Sequence, residues 1–170
     1  VDMLTTGTHA YHSAMRPATV YINGEYFGLY EMREKLDAEF WSEYDQYEDY
    51  ESVDVLSVSY WYNLVLRATD GQADDYWNTW EQFQELDPAQ EDFLDQANSH
   101  YDLENYTDYI ISQSWIANYD WPYNNIKLYR SDASELRWRF ATIDLELSLM
   151  PNGWSDCYAN GLEHVIDEGD

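Results

Sequence analysis

The stretch from Leu103 to Asp144 constrains this chain most, because it fixes three elements in order. "LENYTDYIISQSWIANY" repeats apolar residues at helical spacing, with Asp102 placed to cap its start. Leu103, Tyr106, Ile110, Ile111, Trp115 and Ile116 cover most of the circumference, which predicts a deeply buried helix over 103–119. Asp120, the Trp121-Pro122 pair and Asn124-Asn125 then break the pattern, and "NIKLYR" and "LRWRFATID" predict strands over 126–130 and 136–143. An aspartate and two asparagines cost free energy when buried without partners. Either the break is a surface turn, or its polar groups converge on something charged.

Side chains alternate faces along a strand. Leu136, Trp138, Phe140 and Thr142 therefore share one face, and Arg137 and Arg139 the other. Continued alternation carries Asp144 and Glu146 onto the apolar face, where carboxylates need a cation, a proton or an opening to solvent. If the strand instead ends at Ile143, both acids reach solvent. Lys127, Arg130, Arg137 and Arg139 hold four of the eight cationic side chains. They either face an anionic ligand or pair with surrounding acids.

Upstream, "ATVYINGEYFGLYEM" predicts a hairpin of Thr19–Ile22 and Tyr26–Met32 around Asn23-Gly24, the dipeptide that best supplies positive φ angles. "KLDAEFWSEY" reads as a short helix and "VDVLSV" as a short strand. "DDYWNTWEQFQEL" and "AQEDFLDQANSH" read as amphipathic helices divided by Asp87-Pro88. Beyond Leu149 the chain is irregular.

Composition narrows the partners. In 170 residues, 34 acidic side chains face 8 basic ones, a formal net charge of −26. A phosphate backbone or an anionic membrane surface is repelled, so nucleic acid is excluded as a partner. Cations, or substrates delivered with cations, fit such a surface. No apolar stretch approaches the ~20 residues that span a bilayer, which argues against membrane insertion. Cys157 is the single cysteine, so no internal disulfide forms. The chain opens on Val1 instead of Met, and an upstream segment is expected.

Asp120 to Asn125 has the spacing Asp-x-x-x-x-Asn that protein kinases use in their catalytic loop. With 19 Asp and 10 Asn, chance supplies about one such pair. The order of elements adds weight: helix, loop, two strands, then Asp144. Three motifs together resemble the spore-coat protein H (CotH) kinase family of atypical secreted or surface kinases. "RPATVYINGEYFGLYEMREKLDAEFW" resembles its strand, turn and Arg-Glu-Lys signature. "YDLENYTDYI…NYDWPYNNIKLYR" is similar to its catalytic segment, and "LRWRFATIDLEL" to its terminal Asp-x-Asp. The resemblance runs from about Met3 to Leu149.

That resemblance implies an α+β, protein-kinase-like fold. Residues 1–35 would be the end of a small lobe and its hinge, and 36–170 a mostly helical large lobe with a late β-hairpin. Asp120 would be the catalytic aspartate. Asn125 and Asp144, with Glu146, would hold Mg²⁺ or Mn²⁺. Glu31, Met32 and Arg33 would meet the adenine of ATP, and Asn124 would orient the loop or contact substrate. The implied substrate is a Ser or Thr of an extracellular or cell-surface protein. Two departures stand out. Glu146 replaces the second aspartate of the family's metal motif, and no phosphate-binding lysine or covering loop precedes the first hairpin. The upstream part of the same kinase domain is expected to supply them, leaving this chain an incomplete portion of the fold.

Two other functions compete. One is a non-catalytic surface pseudokinase or a carbohydrate- or protein-binding module using its 8 Trp and 17 Tyr. The other is a glycoside hydrolase using two of Asp120, Asp144 and Glu146 as acid and base.

Overall fold

The computed structural model describes residues 5–46, 50–60, 63–132, 135–145, 147–149 and 160–168. A two-residue strand, β1 (Tyr11–His12), precedes the predicted hairpin of β2 (Met15–Ile22) and β3 (Glu25–Arg33). Asn23 and Gly24 take φ of 54° and 86°, so the two-residue turn matches the twist of its strands. Ile22 faces Glu25 across it, and the register shifts by a bulge between Val20 and Tyr21. β2 and β3 form a separate two-stranded sheet, with most residues exposed on both faces.

The chain then enters α1 (Ala38–Tyr44), capped by Asp37, whose Oδ1 accepts the Phe40 amide at 3.1 Å. β4 (Asp54–Tyr60) and β5 (Leu64–Asp70) pair antiparallel, followed by α2 (Asp74–Gln84), α3 (Phe93–His100) and α4 (Leu103–Trp115). β6 (Ile126–Arg130) and β7 (Arg139–Thr142) follow, and α5 (Gly161–Glu168) ends the described chain. The five-stranded sheet runs β1-β7-β6-β4-β5, with β1 parallel to β7 and every other neighbour antiparallel. The late hairpin is thus the centre of a sheet, and the architecture is mixed α+β with more strand than a mostly helical lobe. Because β1 joins that sheet, the residues before 35 contribute to both sheets.

Each face of the sheet carries its own core. Tyr129, Val55 and Ala141 face α1, where the Trp41 ring stacks on Tyr129 with centroids 3.6 Å apart and planes 6° off parallel. Leu56, Leu128 and Trp138 face the other way, against Tyr101 and residues of α2 and α4. Trp41 and Trp138 are both wholly buried.

Two sequence expectations need correcting. The helix ends at Trp115, not 119, and Ala117 leaves it with φ of 48°. Its buried face is Asn105, Tyr109 and Gln113, whereas Tyr106, Ile111 and Trp115 are exposed and Leu103 and Ile110 only half-buried. Asn105 is tolerated because its amide completes the sheet: Nδ2 donates to His9 O and Phe140 O, and Oδ1 accepts the Phe140 amide at 2.6 Å. The second late strand is also shorter, Arg139–Thr142, since Leu136 has φ of 60° and Trp138 makes only an isolated bridge to Tyr101.

Candidate active site

Four of the sequence-predicted residues lie at one end of the central strand pair. Ile126 faces Thr142 in the register of β6 and β7. Asn125 immediately precedes Ile126, and Asp144 follows Thr142 by two residues, so the antiparallel pairing brings both chain ends to the same edge. Asp144 has φ of 49°, and this left-handed residue stops the strand alternation before it could carry carboxylates onto the apolar face. Glu146 lies outside the described residues.

The loop that carries Asp120 is held from behind. Where α4 ends, the Asn118 amide donates to Gln113 O at 3.1 Å, and Asn118 Nδ2 donates to Gln113 Oε1 at 2.9 Å. Gln113 and Asn118 are both buried, so the pairing satisfies Gln113 Oε1 and Asn118 Nδ2, which would otherwise be costly there. The Trp121 amide donates to Asn118 O at 3.3 Å, and the buried Trp121 ring packs edge-on against Tyr109. Trp121-Pro122 is a cis peptide.

Within the loop, both oxygens of the half-buried Asp120 carboxylate accept an amide. Asn124 Nδ2 donates to Oδ1 at 3.0 Å and Asn125 Nδ2 to Oδ2 at 2.8 Å. The Asn124 amide also donates to Asp120 O at 3.0 Å, and Asn124 Oδ1 accepts the Tyr60 amide. Asn124 therefore ties the loop to the end of β4. Asn125, with φ of 59°, spends its NH₂ on Asp120 and keeps its amide oxygen free of hydrogen bonds among the described residues. The half-buried Asp144 carboxylate likewise forms no ion pair or hydrogen bond there.

Glu31, Met32 and Arg33 lie in β3, exposed and paired with Pro17, Arg16 and Met15. Arg33 and Glu31 pair with each other at 2.8 Å. The chain leaves the hairpin only at Glu34. An open cleft of about 560 Å³ lies at the hairpin base, lined by Thr5, His9, Tyr11, Glu34, Phe40 and Tyr44. It does not reach Asp120, so its size carries no weight in locating the chemistry. Among the described residues, no three His, Cys, Asp or Glu side chains converge as a ready metal cluster. A cation at the strand ends would instead rely on one amide oxygen and one carboxylate, a mixed oxygen set suited to Mg²⁺ with retained waters.

The late cations are mostly committed elsewhere. Arg130 pairs with Asp54 at 3.2 Å and with Asp75, and lies over the Trp138 ring. Arg139 pairs with Asp102 at 2.9 Å and Asp45 at 3.4 Å, and Arg137 with Asp102 and Glu135. Burial alone would raise the Asp102 carboxyl, but the Asn105 amide and the two arginines outweigh it and hold it below the usual range. Asp45 goes the other way, its burial outweighing Arg139 and Ser131. Residues that sequence reasoning missed are the Gln113–Asn118 pair and the Tyr60 backbone anchor. A buried amide on an apolar helix face leaves no periodic signal, and a backbone donor leaves none at all.

No curated protein matched the chain. The family model described as CotH kinase protein matches residues 3–161. That match spans most of the chain, and the chain belongs to the CotH kinase family.

Proposed function

We propose that these residues form the core of an ATP- and divalent-metal-dependent kinase that phosphorylates Ser or Thr of an extracellular or cell-surface protein. Family membership supports a kinase-like function in general. The observation that carries the finer reading is the Asp120 carboxylate clamped by Asn124 and Asn125, with the Asn125 amide oxygen uncommitted and Asp144 at the same end of the strand pair. Asp120 accepts the proton of the acceptor hydroxyl as its oxygen bonds to the γ-phosphorus and the bond to the ADP oxygen breaks. The two asparagines hold the carboxylate in one orientation through that step. Asn125 Oδ1 and Asp144 would hold the divalent ion, which neutralises phosphate charge against a chain of net −26. Glu31 to Arg33 would meet the adenine from the hairpin. ATP, Mg²⁺ or Mn²⁺, the protein substrate and the extracellular setting all belong to this proposal. Among the described residues no helix is long and apolar enough to cross a membrane.

Asp144→Asn tests it, because the substitution removes a charge and keeps the shape. In the full polypeptide it should abolish metal-dependent nucleotide binding by calorimetry while leaving the thermal midpoint unchanged. Unchanged affinity for ATP with Mg²⁺ would remove Asp144 from the site. A second reading, a carbohydrate-binding surface module, is favoured by Trp77 and Trp80, one turn apart on α2 and 50% and 40% exposed. Sugar titration that quenches their fluorescence, without nucleotide binding, would favour it.

A further inference from the structure

Lys127 differs from every other cation of the late strand pair. Arg130, Arg137 and Arg139 are each matched to carboxylates. Lys127 forms no ion pair among the described residues, although acids outnumber bases 34 to 8. It is half-buried in β6, between Ala141 of β7 and Ser57 of β4. Directly paired residues share a face, so the row Tyr11, Ala141, Lys127, Ser57 and Arg67 points to one side of the sheet. That is the side on which Trp41 stacks over Tyr129, two residues further along β6.

Its neighbours place it more closely. Asn125 lies two residues back, immediately before β6 begins. Asp37 and Lys35, on the segment that follows β3, act electrostatically on Lys127 along with Asp70. Asp37 is already committed, to Lys35 at 2.8 Å and to the α1 cap. A half-buried cation without an ion pair has an unmet demand for an anion. The sheet row therefore presents one uncommitted ammonium between the Asp120 loop and the segment that leaves the hairpin.

We propose that Lys127 binds a phosphate group of the nucleotide, standing on the sheet next to the metal-side residues Asn125 and Asp144. The proposal rests on the kinase reading above. It assigns charge on the phosphates to a residue of the central strand.

Calorimetric titration of the full polypeptide with ATP and Mg²⁺, unaltered and as Lys127→Met and Lys127→Arg, tests this. Met keeps the aliphatic stem and removes the charge; Arg keeps the charge. A charge-assisted hydrogen bond predicts a loss of roughly ten- to a hundredfold for Lys127→Met, with Lys127→Arg within a few-fold of the unaltered protein. Unchanged affinity in Lys127→Met, or equal weakening in both variants, would overturn the assignment while nucleotide binding itself still upholds the kinase reading. Absence of ATP binding by the unaltered protein with either Mg²⁺ or Mn²⁺ would overturn both.

Discussion

Asp102 shows how much one side chain does in this molecule. It caps α4 by accepting the Asn105 amide, and it receives Arg139 at 2.9 Å and Arg137 at 3.7 Å. Asp102→Ala removes the cap and leaves two partly buried guanidiniums without their shared partner. The expected cost is ~2–4 kcal/mol at neutral pH, measured by urea unfolding. The pH dependence follows from the depressed carboxyl. Its folded affinity for protons lies below the unfolded one, so its stabilisation is full above the ordinary carboxylate range and fades as pH falls through the folded value. The unaltered protein and the variant should therefore converge in acid. A difference that stays constant down to pH 2 would show that the ion pairs contribute nothing. The aromatic pair on the opposite face gives a second residue-scale test. Trp41 is wholly buried on Tyr129, so Trp41→Ala should cost ~3–5 kcal/mol.

At the scale of elements, α4 is the part most easily misread. Its apolar residues point to one burial pattern, and the structure adopts another, with Asn105, Tyr109 and Gln113 inward. Ile111→Ala should therefore be near neutral, because Ile111 is 59% exposed, while Tyr109→Ala should cost ~3–5 kcal/mol. Comparable losses for the two would restore the apolar-face reading. The reason for the error is physical. Asn105 and Gln113 are buried because the Phe140 and His9 backbone groups and Asn118 accept or donate to them, and partners outside the helix leave no trace in its periodicity. The hairpin was legible because Asn23-Gly24 specifies its own turn. β5 was not, since "LVLRATD" mixes exposed and half-buried residues without alternation. The Asp120-to-Asn125 segment was legible as a loop, but the convergence of both asparagine amides on Asp120 itself was not. Its anchor on Tyr60, 64 residues away, was not.

For the whole molecule, two sheets divide the work. The five-stranded sheet carries both cores and the Asp120 end, and the hairpin projects Tyr26, Phe27, Leu29 and Met32, each more than half exposed. A two-stranded hairpin is marginal without a packed face, so the chain should self-associate through it. Sedimentation should show oligomers that Leu29→Lys disperses, and a monomer before any substitution would contradict this. Phosphoryl transfer by this molecule should depend on Asp120. Transfer of the γ-phosphate from labelled ATP to a Ser- and Thr-bearing protein, by the full polypeptide and its Asp120→Asn variant, measures it directly. Transfer should be metal-dependent and should fall roughly a hundred- to ten-thousandfold in Asp120→Asn, with ATP still bound. Equal transfer by both proteins, or none by the unaltered one, would contradict it.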